Sequence, residues 1–376
     1  MAATGAADRA PSRRRVSRRT NVPVARMINN SLTHASSTTE SMVVFNCQTI
    51  IDFRELVGMK IKVIVTTVVL SAALSGTLPG NDYNEIRSIA FSPDGKSIAF
   101  LAGTSDFMLS DNLGKTHRVV SHDTTMTGCV TFSKGGSIVT GLSDGRIIFR
   151  KPSGSIIKTI KDPQGGECDG VIRISFSRGG ALTATATPQS VCLWNKKNSL
   201  VCRFPAGGKT IADAALSPDG DCVAMVIEPD VFTVHDARGK LINSYSGIGT
   251  SVRKVCYVSD GKAIVISTGD GRLMVRNSDG SSFREIIAGT GEIHDIKAGP
   301  GNSILVAAAG EVRLFNLEGK LLRNFKVRHG HDSVMGGAFS PDGKYLAAGT
   351  YSGKLYVWKS DGSLLRVVSI FRQTDE

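Results

Sequence analysis

Glycine recurs along most of this chain at a nearly constant interval. Gly95, Gly136, Gly180, Gly220, Gly261, Gly301 and Gly343 stand 41, 44, 40, 41, 40 and 42 residues apart. A second set, Gly114, Gly154, Gly239, Gly280, Gly319 and Gly362, keeps the same interval, with Asn198 where its third member falls. Glycine and asparagine tolerate a positive φ, so both sets predict tight turns. Between the turns lie short runs of Val, Ile, Leu, Ala and aromatic residues. In residues 331–368 three glycine-containing turns, Pro341-Asp342-Gly343, Ser352-Gly353 and Asp361-Gly362, separate four such runs. Each unit therefore predicts four antiparallel strands. Seven units of about forty residues predict a β-propeller, because a blade of this size cannot bury both faces until neighbours stack on it.

The expected fold class is all-β, a seven-bladed β-propeller over residues 81–376, each blade a four-stranded antiparallel sheet, preceded by a flexible N-terminal extension. Twenty-eight strands can be counted between residues 86 and 370. The last of them follows Trp358, so no N-terminal strand is needed to complete the ring.

The residues Gly330-His331, the run FSPDGKYLAAG and the run Leu355-Tyr356-Val357-Trp358 resemble the WD-repeat propellers, with their Gly-His start, Ser-Pro-Asp-Gly turn and terminal Trp. The resemblance covers residues 86–370. Its individual repeats are degenerate: the Trp position reads Ser110, Arg150, Trp194, His235, Arg276, Phe315 and Trp358. It implies structural roles for His331, Trp194 and Trp358, within a partial network of buried His, Ser or Thr, Trp and Asp. Ser352 stands where the family places a turn Asp.

The same resemblance implies a function as a non-enzymatic scaffold for other proteins or peptides, as a monomer or as a subunit of a larger complex. It puts the connections from strand d to strand a, and from b to c, on one rim. The positions entering strand a read Arg87-Ser88, Thr127-Gly128, Ile172-Arg173, Ala212-Asp213, Arg253-Lys254, His294-Asp295 and Met335-Gly336. The expected partner-binding residues are Arg87, Arg173, Asp213, Arg253, Lys254, His294, Asp295 and Met335. The competing reading is an exported propeller that binds or processes a glycan or peptide through its central channel.

Motifs of catalysis and cofactor binding lack their context. Gly141-Leu142-Ser143-Asp144-Gly145 fits a nucleophile elbow, but that device needs a strand-to-helix turn, and here it falls in a hairpin. His329-Gly330-His331-Asp332 has no further ligand cluster around it, so no metal is expected. Gly247-Ile248-Gly249 and Gly289-Thr290-Gly291 lack the third glycine and the helix of a nucleotide site, so no cofactor is expected, nor nucleic acid in the propeller. Cys129, Cys168, Cys192, Cys202, Cys222 and Cys256 show no metal spacing. Counting across the hairpin pairs residue 193 with 202, so Cys192 faces away from Cys202, and free thiols are predicted. Free thiols favour a reducing compartment.

The front of the chain differs in kind. Residues 1–80 hold ten Lys and Arg against four acids, which is +6 of the formal +12, while the remaining 35 bases and 29 acids supply the other +6. Residues 1–58 have no sustained apolar periodicity and open on Arg13, Arg14, Arg15, Arg18 and Arg19, which predicts a disordered basic extension, with a targeting or nuclear-import patch or an anionic-surface contact as the competing readings of the arginines. Residues 59–80 form an apolar segment for which three readings stand. It is a signal peptide with its start at Met59, a membrane anchor through residues 61–78, or a strand docked on the propeller. The first two make the protein exported or membrane-associated; the third leaves it cytoplasmic.

Overall fold

A computed structural model describes residues 85–370, apart from 104–105, 112, 123–124, 164–169, 247–250, 280, 282–283, 289–290 and 329–331. The basic extension, the apolar segment 59–80, Cys168, Gly280, the pair Gly289-Thr290, the triplets Gly247-Ile248-Gly249 and His329-Gly330-His331, and with the last the expected structural His331, lie outside the described residues.

The turn glycines do what their spacing predicts. All seven members of the first set have positive φ, from 60° at Gly301 to 89° at Gly220. Asn198, standing in for glycine in the second set, adopts φ 62°. Twenty-eight strands run from Ile86–Phe91 to Leu364–Ser369 and form seven four-stranded sheets, each with its strands in sequence order a-b-c-d. Blade 7 is built from Val334–Phe339, Tyr345–Thr350, Lys354–Lys359 and Leu364–Ser369, all from its own repeat.

Burial follows from the stacking. In blade 5, strand b (Ala263–Thr268) is buried along its whole length, as a strand covered on both faces must be, whereas strand d of blade 2 (Ile156–Lys161) is mostly exposed. The buried apolar side chains separate into seven clusters, one between each pair of neighbouring blades. The cluster joining blade 7 to blade 1 sets Ala347, Leu355 and Val357 against Ile86, Phe91, Ile98 and Phe100. The ring is closed by packing of the same kind that joins every other pair.

A polar clasp repeats at the outer rim. The third residue of strand d reaches the c-to-d turn of the next blade: Arg118 to the Pro152 carbonyl (2.5 Å), Lys158 to Asn198 Oδ1 (2.7 Å), Asn243 to the Asp279 carbonyl (2.5 Å) and Arg323 to the Asp361 carbonyl. Glycine at the first and last of those turns lets the blades approach. A Cβ at Gly362 would lie 3.2 Å from Arg323 Nη1, and one at Gly154 would lie 3.0 Å from Val120.

The Trp position holds its place in every blade, opposite the second residue of strand b (Ile98 with Ser110, Thr183 with Trp194, Val223 with His235, Ile264 with Arg276, Leu346 with Trp358) or, in blades 2 and 6, its first (Ile138 with Arg150, Ile304 with Phe315). Trp194 Nε1 donates to Thr185 Oγ1 at 2.9 Å, and Trp358 stacks on Tyr356 with centroids 5.3 Å apart. Leu193 pairs with Cys202, so Cys192 does face away, and the five described cysteines are free.

Candidate interaction surface at the channel mouth

Strand a begins with an irregularity in six blades. One residue is bulged out of the pairing between Ile86 and Ile89, Thr127 and Cys129, Ile211 and Asp213, Val252 and Lys254, Ile293 and Asp295, and Val334 and Gly336. A bulge re-aims side chains at a strand end. In blade 2 the bulged residue is Gly128 and the next is Cys129, which corrects the sequence alignment of Thr127-Gly128 by one position. Close blade contact explains the glycine, since a Cβ at Gly128 would stand 2.3 Å from the Val171 carbonyl oxygen.

The residue after the bulge bridges to the next blade. Ser88 Oγ accepts from Val130 N at 3.0 Å, and Asp213 Oδ2 accepts from Val255 N at 3.1 Å. From these positions a charge network spans the channel. Arg173 on blade 3 reaches Asp213 on blade 4 at 3.1 Å and Asp295 on blade 6 at 3.6 Å, and Asp295 also holds Lys297 at 3.0 Å. Asp213 is 2 % exposed and Asp295 7 %. Burial alone would raise the Asp295 carboxyl, but Lys297, Arg173 and Lys254 hold it below the usual carboxylate range. Burial works against the Arg173 cation, and the two aspartates more than offset it, so its affinity for the proton rises. Burial pushes the neighbouring thiols of Cys129 and Cys256 up to about 12, which keeps them protonated. Lys297 belongs to this network although sequence reasoning passed over it. Its signal was present, because residues two apart on a strand share a face and Asp295 had been singled out.

The eight expected partner-binding residues thus divide. Arg173, Asp213 and Asp295 are committed inside the ring. Arg87 is partly committed, with Nε 3.1 Å from Glu85 and Nη2 3.1 Å from the Gly103 carbonyl. Arg253, Lys254, His294 and Met335 are half-buried at the mouth, and among the described residues neither Arg253 nor Lys254 forms an ion pair. Burial lowers the His294 pKa, opposed by Glu292 and reinforced by Lys254. With Arg87 on blade 1, these four residues form an arc over blades 5, 6, 7 and 1.

Tyr351 joins that arc from the b-to-c turn of blade 7, where its backbone N–H donates to the Ser333 carbonyl at 2.9 Å. It is 55 % exposed, and the other exposed large hydrophobic residues among those described all lie on outer strands d. Beside it, Asp332 reaches Ser352, accepting from its backbone N–H at 3.0 Å and from its hydroxyl. The carboxylate absent from the turn at Ser352 is supplied by the d-to-a connection. Among the described residues no group of three or more His, Cys, Asp or Glu side chains is placed to hold a metal, and no helix is long and apolar enough to cross a membrane.

The WD domain, G-beta repeat family matches residues 73–110 and 319–359. The second match runs from the c-to-d turn of blade 6 to the end of strand c of blade 7, so the sequence repeat straddles two sheets. Two matched repeats on a ring of seven four-stranded blades decide the family. The chain is a WD-repeat β-propeller. A search of curated proteins gave no match. Among solved structures, a chain in the crystal structure of a mitotic checkpoint complex is similar at 15 % identity with a TM-score of 0.63, over 74 % of this chain and 90 % of that one. At that identity the likeness concerns the fold, and this WD-repeat propeller differs from it at most positions.

Proposed function

We propose that this WD-repeat propeller is a non-enzymatic scaffold that holds a peptide or domain of another protein on the arc formed by Arg253, Lys254, His294, Met335, Tyr351 and Arg87. A propeller of this family supports an interaction role in general terms, and a rigid ring bearing many connections suits it. One observation carries the choice of face. An exposed aromatic residue shares the rim with cations that form no ion pair among the described residues, while other charges at the start of strand a are paired. Interface hot spots favour aromatic and Arg side chains, and a cation that is not neutralised at home is available to a partner's carboxylate. The network from Arg173 to Asp295 bridges the channel, which weighs against a ligand seated deep within it. The test is affinity capture with mass spectrometry on the wild-type chain, on Tyr351→Ala, and on the pair Arg253→Ala with Lys254→Ala. A partner lost from both variants, with thermal stability kept, supports this face. A partner retained equally by all three chains overturns it.

A further inference from the structure

The opposite rim carries a cationic sector, in which Arg178 also donates to the Ser259 carbonyl of blade 5. This rim is made of the a-to-b and c-to-d turns. In four blades the a-to-b turn contains an Asp whose carboxylate accepts the backbone N–H two residues on, at 3.1 Å for Asp94, 3.0 Å for Asp219, 2.9 Å for Asp260 and 3.1 Å for Asp342. Blades 2 and 3 give up that bond, with Gly135 and Gly179 at the Asp position, and place Lys134 and Arg178 one residue earlier in the turn. Their c-to-d turns bear Lys151 in blade 2 and Lys196 and Lys197 in blade 3, where the neutral Asn195 accepts the turn N–H of Lys197 at 2.9 Å. The four turns of these two blades hold five cations and no acid, whereas every other blade places at least one acid in the corresponding turns.

All five side chains are exposed. Lys134 Nζ donates to the Arg178 carbonyl at 2.9 Å, which sets the two inner turns side by side. At the outer edge Ile156, Ile157 and Val201 are 57 %, 49 % and 49 % exposed, so apolar contact is on offer next to the charge. The inner boundary is an open depression of about 410 Å³ shared by Lys134 and Arg178 with Asp219 and Asp260.

We propose that the turns of blades 2 and 3 on this rim form a second docking surface, whose occupant is an acidic protein segment interspersed with apolar side chains. Charge complementarity and the flanking aliphatic residues select that chemistry. A planar anionic bilayer fits less well, because it would face Asp219, Asp221 and Asp236 of blade 4 on the same rim. A single-stranded nucleic acid would want aromatic stacking platforms, and these four turns contain none. The proposal does not rest on the reading of the channel mouth.

The test uses the full chain and a fluorescein-labelled (Glu-Glu-Leu)4 peptide, followed by anisotropy at low and moderate salt. The N-terminal arginines are common to all variants, so the difference between variants reports the sector. Exposed charge pairs contribute modestly one by one, so reversing two of them, Lys196→Glu with Lys197→Glu, is expected to weaken binding about tenfold, and added salt to weaken it further. Lys134→Glu with Arg178→Glu should act similarly, while Arg253→Ala with Lys254→Ala should leave peptide binding unchanged. The denaturation midpoint checks the fold, and the Lys196 and Lys197 pair, whose side chains make no inter-blade bond among the described residues, carries the test if the inner pair fails to fold. Peptide affinity insensitive to the Lys196 and Lys197 reversal overturns the proposal. So does equal loss in the channel-mouth variant, or phosphatidylserine vesicles or a thymidine dodecamer responding to the reversal when the peptide does not.

Discussion

Arg173 and Lys254 occupy the same place on strand a two blades apart, each seven residues before the glycine of its first turn, yet they meet opposite fates. Arg173 finds Asp213 on the next blade and Asp295 across the channel. Lys254 lies within electrostatic reach of Asp295, but that carboxylate is already held by Lys297 and Arg173. A position on the ring does not decide whether a charge is structural or available; the side chain presented by the following blade does. Function at the mouth is thus what remains after the ring has satisfied itself.

The largest test of this contrast is Arg173→Ala. It takes from buried Asp213 the cation that pairs with it and leaves Asp295 to Lys297 alone, and breaking a buried pair in this way costs about 3–5 kcal/mol. Chemical denaturation should show a lower midpoint with an unchanged slope, and a wild-type midpoint would mean that the network holds nothing. Lys297→Ala removes one partner of Asp295 and leaves Arg173 in place, so a loss of about 1–2 kcal/mol is expected in the same assay. Acid gives a third reading. Because Asp295 is held below the ordinary carboxylate range, its contribution is complete above about pH 4, near the unfolded value, and is lost as pH falls through its folded value. The decline of stability with acid should therefore be shallower in Arg173→Ala than in the wild type. Arg253→Ala with Lys254→Ala lies at the other end, with stability within about 0.5 kcal/mol of wild type. The smallest effect concerns His294, whose lowered pKa keeps it neutral at physiological pH. Partner capture should stay flat from pH 8 down to about 6.5, the ordinary imidazole value, and any rise at lower pH should vanish in His294→Gln.

The architecture was legible because each turn needs a residue that accepts positive φ, and so few residue types do so that their spacing survives degeneracy elsewhere. Asn198 shows how the rule works: the sequence departs from glycine, and the backbone does not depart from the turn. The site was less legible. Arg173 and Asp213 are 40 residues apart, and Arg173 and Asp295 lie three blades apart, so no local pattern announces the network. Superposing the repeats brings the right positions together, but it cannot say which of seven similar positions face each other across a channel. The shift at Gly128-Cys129 arose in the same way, since one bulged residue slips the count without altering the hydrophobic pattern. Tyr351 carried a weaker signal still, as an aromatic in a turn is conspicuous only once the other aromatics are seen to be covered.

The seam between blade 7 and blade 1 has one more implication. Among the described residues it is held by side chains alone, through Ile86, Phe100, Leu355 and Val357 and the contact of Arg366 with the turn at Gly114, and no backbone ladder crosses it. A ring joined in this manner has no privileged starting blade. Cutting the chain at the Ala206–Thr210 connection and linking residue 370 to residue 85 would leave every sheet intact and every inter-blade cluster available. Which blade is made first and which last is then a matter of genetic order, and the circle itself is indifferent to it.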